Sequence, residues 1–228
     1  MDKIQIIEKL FYNIVTYSYL ILPLLFILLN PKKKEVLIVA FYGILIFFAL
    51  LFFNDVPKSF KPLFVCAYTL IEYSFFALLL FLNIQNRKYK KIIILLSFLF
   101  AVFQVIYLLT VHIGRLDTVP IGIETILLFI YIFILFYENF KNPRVNYLYG
   151  NHSFWIAVGI LIYLGGSFFF NILVNHITKE QLSKYLYLTY FPEIIKNVLF
   201  AIAIVIYIRK PIKNLSNQQS SVPYLDMI

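Results

Sequence analysis

Apolar residues along this chain come in blocks of 18 to 21, separated by short polar links. Reading the blocks in order predicts seven helical spans: Tyr12–Leu29, Val36–Phe53, Pro62–Leu82, Ile92–Val111, Val119–Tyr137, Phe154–Val174 and Leu188–Ile208. At about 1.5 Å per residue, each is long enough to cross a hydrocarbon core of roughly 30 Å. The predicted fold is therefore all-α, a polytopic membrane protein with seven transmembrane helices in one bundle. Residues 1–11 form an amphipathic N-terminal lead whose Ile4, Ile6, Ile7, Leu10 and Phe11 suit a membrane interface. Residues 12–208 form the seven-helix transmembrane domain, and residues 209–228 a polar cytoplasmic tail too short for a kinase, cyclase or DNA-binding domain.

Within the spans a few residues break the pattern. Pro23 is expected to bend the first, and Pro31 with Lys32–Lys34 to end it. The second carries no charge and one glycine, Gly43, so it is expected to face lipid. The sixth contains Gly159, Gly165 and Gly166, small enough for close helix packing.

Composition agrees with the pattern. Hydrophobic residues make up 62% of the 228 and charged ones 14%, too few to cover a soluble domain of this length. A net charge of +9 would suggest nucleic acid in a soluble protein. Here the basic residues sit between spans, where bilayer orientation accounts for them and no nucleic-acid partner is implied. The single cysteine, Cys66, excludes an internal disulfide. The first residues include acids and lead to no small-residue cleavage site, unlike a signal peptide.

The links after the first, third and fifth spans, with the tail, carry twelve Lys and Arg; the N-terminus and the other links carry seven. The positive-inside rule then places the N-terminus outside and the C-terminus in the cytoplasm of a cell inner membrane. In this orientation most intramembrane polar groups fall in the outer half, which predicts a bundle closed toward the cytoplasm with a polar cavity open outward.

Glu72 stands at the centre of the third span, where a carboxylate is costly unless it is protonated, paired or facing a cavity. It reads first as the floor of a ligand pocket, a proton-binding switch or part of an ion site, and second as a structural carboxyl bonded to Gln104, Tyr68 or a hydroxyl. Glu193, Lys196 and Asn197 share one helical face by their i, i+3, i+4 spacing. Lys196 is the one cation within a span. It can pair with Glu72 or Glu193, receive an anionic headgroup, or snorkel while Glu193 sits at the helix start. Glu124 is a first-turn acid or a pocket acid, and Gln104 and Asn171 are ligand contacts or interhelical hydrogen bonds. The candidate ligand-binding set is thus Glu72, Gln104, Glu124, Asn171, Glu193, Lys196 and Asn197. Tyr17, Tyr19, Tyr68, Tyr73, Tyr163 and Tyr190 join it where they share the face of Glu72. No catalytic residues are assigned: no nucleophile stands at a convincing spacing from a base, and HExxH, GxSxG and phosphate-loop patterns are lacking. His112, His152 and His176 lie near links on opposite sides, so no metal site is predicted.

The run YTLIEYSFFALLL around Glu72, together with FWIAVGILIYLGGSFFFNIL and IIKNVLFAIAIVIYI, resembles small seven-helix membrane proteins common in Bacteroidota, some of whose relatives are fused to histidine-kinase modules. The resemblance implies a sensory role. With no catalytic module after Ile208, such a role requires a separate signalling protein. The expected function is a receptor-like membrane protein binding a small or amphipathic molecule, a lipid included, from the outer side. A proton- or cation-coupled small-solute transporter is the second reading and an intramembrane enzyme the third.

Overall fold

The computed structural model describes residues 3–31, 34–53, 55–57, 59–110, 118–141, 150–173 and 187–208. Eight helices occupy them: α1 Lys3–Ser18, α2 Ile21–Leu29, α3 Lys34–Phe52, α4 Lys61–Asn83, α5 Arg87–Thr110, α6 Thr118–Lys141, α7 His152–Leu173 and α8 Tyr187–Ile208. Six segments among the described residues are long and apolar enough to cross a membrane: Ile6–Leu29, Lys34–Phe52, Lys61–Asn83, Arg87–Thr110, Val119–Lys141 and Thr189–Ile208. Helix α7 has 22 residues and is apolar through His152–Phe168. The protein is an all-α, multi-pass bundle of six to seven long apolar helices. Its outward faces carry large hydrophobic side chains such as Ile27, Leu28, Phe98, Leu109 and Phe133, each more than 60% exposed. A surface of that kind belongs in a lipid bilayer.

The first span is broken in two, as Pro23 predicts, and the break falls four residues earlier. Proline lacks an N–H, and its ring crowds the carbonyl one turn back, here that of Tyr19. That carbonyl instead accepts the N–H of Leu22 at 3.3 Å, between the end of α1 and the start of α2. The break turns Tyr19 fully inward. Helix α2 ends at Asn30, in the left-handed conformation with φ 42°, and Pro31 follows. The N-terminal lead is continuous with the first span, because Lys3–Ser18 is one helix.

Helix α5 starts before its expected limit of Ile92, and α6 runs past Tyr137 to Lys141. Arg87, Lys88, Lys90 and Lys91 form the opening turns of α5, not a loop. Asn86 Oδ1 accepts the Lys88 N–H at 2.9 Å, a side-chain cap. From the far end of α6, the Glu138 carboxylate accepts the N–H groups of Gln85 at 2.8 Å and Asn86 at 2.9 Å. Those donors would otherwise be left open at the helix start.

The helices close into a ring in chain order, with α8 returning to α1 and α2, and with α4 also reaching α6 and α7 through the interior. Helices α7 and α8 pair most extensively. Glycines allow it: a Cβ on Gly159 would lie 3.1 Å from the Phe200 ring, and one on Gly166 would overlap the ring of Pro192.

The second span does not simply face lipid. Helix α3 exposes Leu37, Phe41 and Phe48 but buries Val36, Val39, Ala40, Tyr42, Gly43 and Ile46. A uniformly apolar helix carries no contrast between its faces, so hydropathy cannot say which one is covered. Gly43 covers the break in the first span, where an added Cβ would stand 2.8 Å from the Tyr19 carbonyl oxygen and 3.2 Å from Pro23 Cδ. Backbone cannot move aside as a flexible side chain does. Gly43→Ala is expected to destabilise the protein by about 1–3 kcal/mol. Gly122→Ala, at a position with nothing within 4 Å of the added carbon, is expected to be neutral or slightly stabilising. Thermal unfolding of the two variants in detergent checks the contrast.

Candidate functional site

Five helical segments deliver side chains to one point in the bundle. Tyr19 comes from the break after α1, Tyr42 from α3, Glu72 from α4, Tyr163 from α7, and Glu193 and Lys196 from α8. On α4, Tyr68, Glu72 and Phe76 follow at i, i+4 and i+8. On α8, Glu193, Lys196 and Phe200 follow at i, i+3 and i+7. Both spacings hold these residues on one face.

Lys196 is completely buried. An ammonium group has three donors and no acceptor. One donor reaches Tyr42 Oη at 2.7 Å and another Tyr19 Oη at 2.9 Å. Each phenol then passes its own hydrogen to a carboxylate: Tyr42 to Glu72 Oε1 at 2.8 Å, and Tyr19 to Glu193 Oε1. The other Glu72 oxygen accepts from Tyr163 at 2.9 Å. The result is a continuous hydrogen-bonded chain, Glu193–Tyr19–Lys196–Tyr42–Glu72–Tyr163. The direct separation of Lys196 Nζ from Glu72 Oε1 is 3.9 Å.

Aromatic faces complete the shell. Lys196 Nζ lies 3.9 Å from the Tyr163 ring centroid, 4.9 Å from Tyr19, 5.1 Å from Tyr42 and 5.6 Å from Phe76. A desolvated cation gains about 2 kcal/mol or more from such a face. Two hydroxyl acceptors, two carboxylates and four rings take the place of water around this amine.

The expected residues divide. Glu72, Glu193 and Lys196 come together. Asn197 points to the side: its Nδ2 donates to Ser18 Oγ at 2.7 Å, tying α8 to α1. Gln104 ties α5 to α4 through Cys66, whose carbonyl oxygen it meets at 3.0 Å. Cys66 is six residues from Glu72, roughly 9 Å along the helix axis, so Gln104 stands apart from the lysine. Glu124 is buried within Coulombic range of Glu72. Its Oε1 has no hydrogen-bond partner among the described residues. The side chain of Asn171 lies outside the described residues, as do His112 and His176.

Among the tyrosines, Tyr19 and Tyr163 join the chain, and Tyr68 interacts with Glu72 and Tyr163. Tyr17 is 60% exposed. Tyr73 belongs to a separate network, sharing hydrogen bonds with Ser97 at 2.9 Å and Tyr131 at 3.0 Å. Tyr190 packs edge-on to Tyr12. Tyr42 was not anticipated, although it bridges the ion pair; its signal was its place as the one polar side chain beside the one glycine of an apolar span. Among the described residues, Glu72 and Lys196 are enclosed where an open cavity was expected. Tyr19, Tyr42, Phe76 and Lys196 are fully buried, and aromatic side chains fill the volume between the charges.

No protein-family model, no curated protein and no solved structure matches this chain. Its chemistry is therefore read from geometry alone. Lys196→Met would leave Glu72 and Glu193 buried without a cation, a change expected to cost about 3–5 kcal/mol. Adding Glu72→Gln to it should return part of the loss. Thermal melts of the single and double variants measure this, and an unchanged melting temperature in Lys196→Met would remove the ion pair from the account of the site.

Proposed function

We propose that this chain is a receptor-like membrane sensor that signals through a separate protein. It crosses a cell inner membrane seven times, with its N-terminus outside and its C-terminus in the cytoplasm. It responds to a small or amphipathic molecule reaching it from the outer side. The distribution of Lys and Arg, twelve against seven, supports the orientation. The resemblance to seven-helix proteins of Bacteroidota points to the same role.

The observation that carries this reading is the hydrogen-bonded chain centred on Lys196. It joins the first span, α3, α4, α7 and α8 at one place. Packed interfaces of this kind tend to have discrete arrangements and to pass a small local shift on to whole helices. Helix α8 is the element suited to carry the motion. It supplies both Glu193 and Lys196, contains Pro192 within its length, and rests on α7 at Gly159 and Gly166.

One observation favours the transporter reading. Three buried or half-buried carboxylates, Glu72, Glu124 and Glu193, stand with a single ammonium in this region. One ammonium can balance only one of them, so the site has room for a proton or a cation.

The two readings part in one experiment. Spin labels at Gln85→Cys on the α4–α5 link and Ile206→Cys on α8, in a Cys66→Ser background, report the position of α8. Glu72→Gln is expected to shift the label distance by about 2 Å or more. In liposomes the same protein is expected to leave a proton gradient intact, as followed by a trapped pH dye. Proton flux that disappears in Glu72→Gln would replace the sensor with the transporter.

A further inference from the structure

Along one face of α6 the side-chain chemistry changes in order. Ile130, Phe133 and Ile134 are apolar, Tyr137 is amphipathic, and Lys141 is a cation in the last turn. Their spacing of i, i+3, i+4, i+7 and i+11 keeps them in one stripe. From Ile130 to Lys141 the stripe runs roughly 16.5 Å along the helix axis. A phospholipid shows the same order from its acyl chain, through its interfacial region, to its phosphate.

The surface at this stripe is concave in two places. An apolar groove of about 410 Å³ is lined by Ile130, Phe133 and Ile134 together with Tyr89 and Tyr137. A second hollow, of about 490 Å³, lies toward the end of α6, and Tyr89 and Tyr137 line it too. Its other walls are polar, with Gln85, Asn86, Glu138 and Lys141 among them. The two tyrosines are thus the neck between an apolar and a polar compartment, which is the position their amphipathic rings favour at a membrane surface.

The charge around the polar compartment is one-sided. Its one acid, Glu138, already accepts the N–H groups of Gln85 at 2.8 Å and Asn86 at 2.9 Å. Lys141 lines the hollow with its Nζ 5.9 Å from the centre of the Tyr137 ring, at the neck. Arg87, Lys88, Lys90 and Lys91 follow in the opening turns of α5. Among the described residues, none of these five cations is paired with a carboxylate. A basic hollow between membrane helices, on the side of the bilayer that carries the more basic links, suits an anionic lipid head.

We infer that α5 and α6 hold an anionic phospholipid of the phosphatidylglycerol type. Its acyl chain lies in the groove along Ile130 and Ile134. Its phosphate sits at the neck beside Lys141, and its headgroup hydroxyls meet the amides of Gln85 and Asn86. An ethanolamine or choline head would bring one more cation among five. A soluble phosphate would meet the same cations and leave the apolar groove bare. None of the residues lining this site belongs to the hydrogen-bonded chain at Lys196, and the site does not depend on the sensor reading.

The test uses the full chain, delipidated in detergent, with phosphatidylglycerol and phosphatidylethanolamine of identical acyl chains as probes and binding followed by native mass spectrometry. One tightly held phosphatidylglycerol per chain is expected, with about fivefold or greater preference over phosphatidylethanolamine. Lys141→Gln should weaken phosphatidylglycerol about fivefold, the effect of one cation near an anionic surface. Lys61→Gln removes the same charge from the first residue of α4, at the far end of that helix from the hollow, where the ammonium likewise lies over a ring, that of Phe53 at 5.0 Å. It should leave the affinity unchanged. Ile130→Trp, at a position 42% exposed, should fill the groove and weaken both lipids. The contrast between Lys141 and Lys61 stands whatever Ile130→Trp does to folding. Equal affinity for the two lipids, or equal losses in Lys141→Gln and Lys61→Gln, would overturn the assignment. Displacement of the bound lipid by millimolar glycerol phosphate would give the hollow to a soluble phosphate and overturn it as well.

Discussion

A lysine ammonium in the interior of a membrane bundle has to be solvated by the protein itself, and Lys196 organises this structure because of it. Water would offer the group acceptors on every side. Here those acceptors are the Tyr19 and Tyr42 hydroxyls, with Glu193 and Glu72 behind them and the faces of Tyr163 and Phe76 around the rest. Phenols suit the task. Each accepts from the cation and donates to an anion, so positive charge is linked to two carboxylates without either coming into direct contact with it. The rings bring apolar bulk, which fills the space a small hydroxyl residue would leave open.

The rest of the bundle can be followed outward from that point. For Tyr19 to reach the lysine, the first span has to turn inward, and Pro23 breaks the helix one turn ahead to let it do so. The turn exposes a backbone carbonyl, and only a residue without a side chain can pack against it, which is the place of Gly43. Gly43 in turn sets α3 close enough for its neighbour Tyr42 to bridge Lys196 and Glu72. On the other flank, Gly159 and Gly166 let α8 lie directly on α7, bringing Tyr163 to the opposite oxygen of Glu72. Proline and glycine here are the steric conditions for assembling one charged centre.

The polar residues outside the centre act locally. Gln104 fastens α5 to α4, and Glu138 closes the start of α5 from the end of α6. Asn197 fastens α8 to α1 through Ser18. Two short stretches of chain, Ser18–Tyr19 and Lys196–Asn197, supply both this fastening and two members of the charged centre.

The sequence by itself determined the class of molecule and much of its cast. Runs of apolar residues have one stable use at that length, and a carboxylate or ammonium inside such a run must find a partner, so the membrane helices and the importance of Glu72, Glu193 and Lys196 were legible. The proline bend was legible too, because its cause is local. Only the tertiary structure decided which partners met. Tyr42 and Gln104 both lie in apolar helices, yet one stands at the lysine and the other roughly 9 Å along α4 from Glu72. That difference depends on how each helix is shifted along its axis and turned about it, which a nearly uniform apolar surface does not encode. For the same reason the charges closed on one another through aromatic rings, where the pattern alone suggested an open cavity: polar residues along a span report depth in the membrane, and the packing of large side chains decides whether any space remains between them.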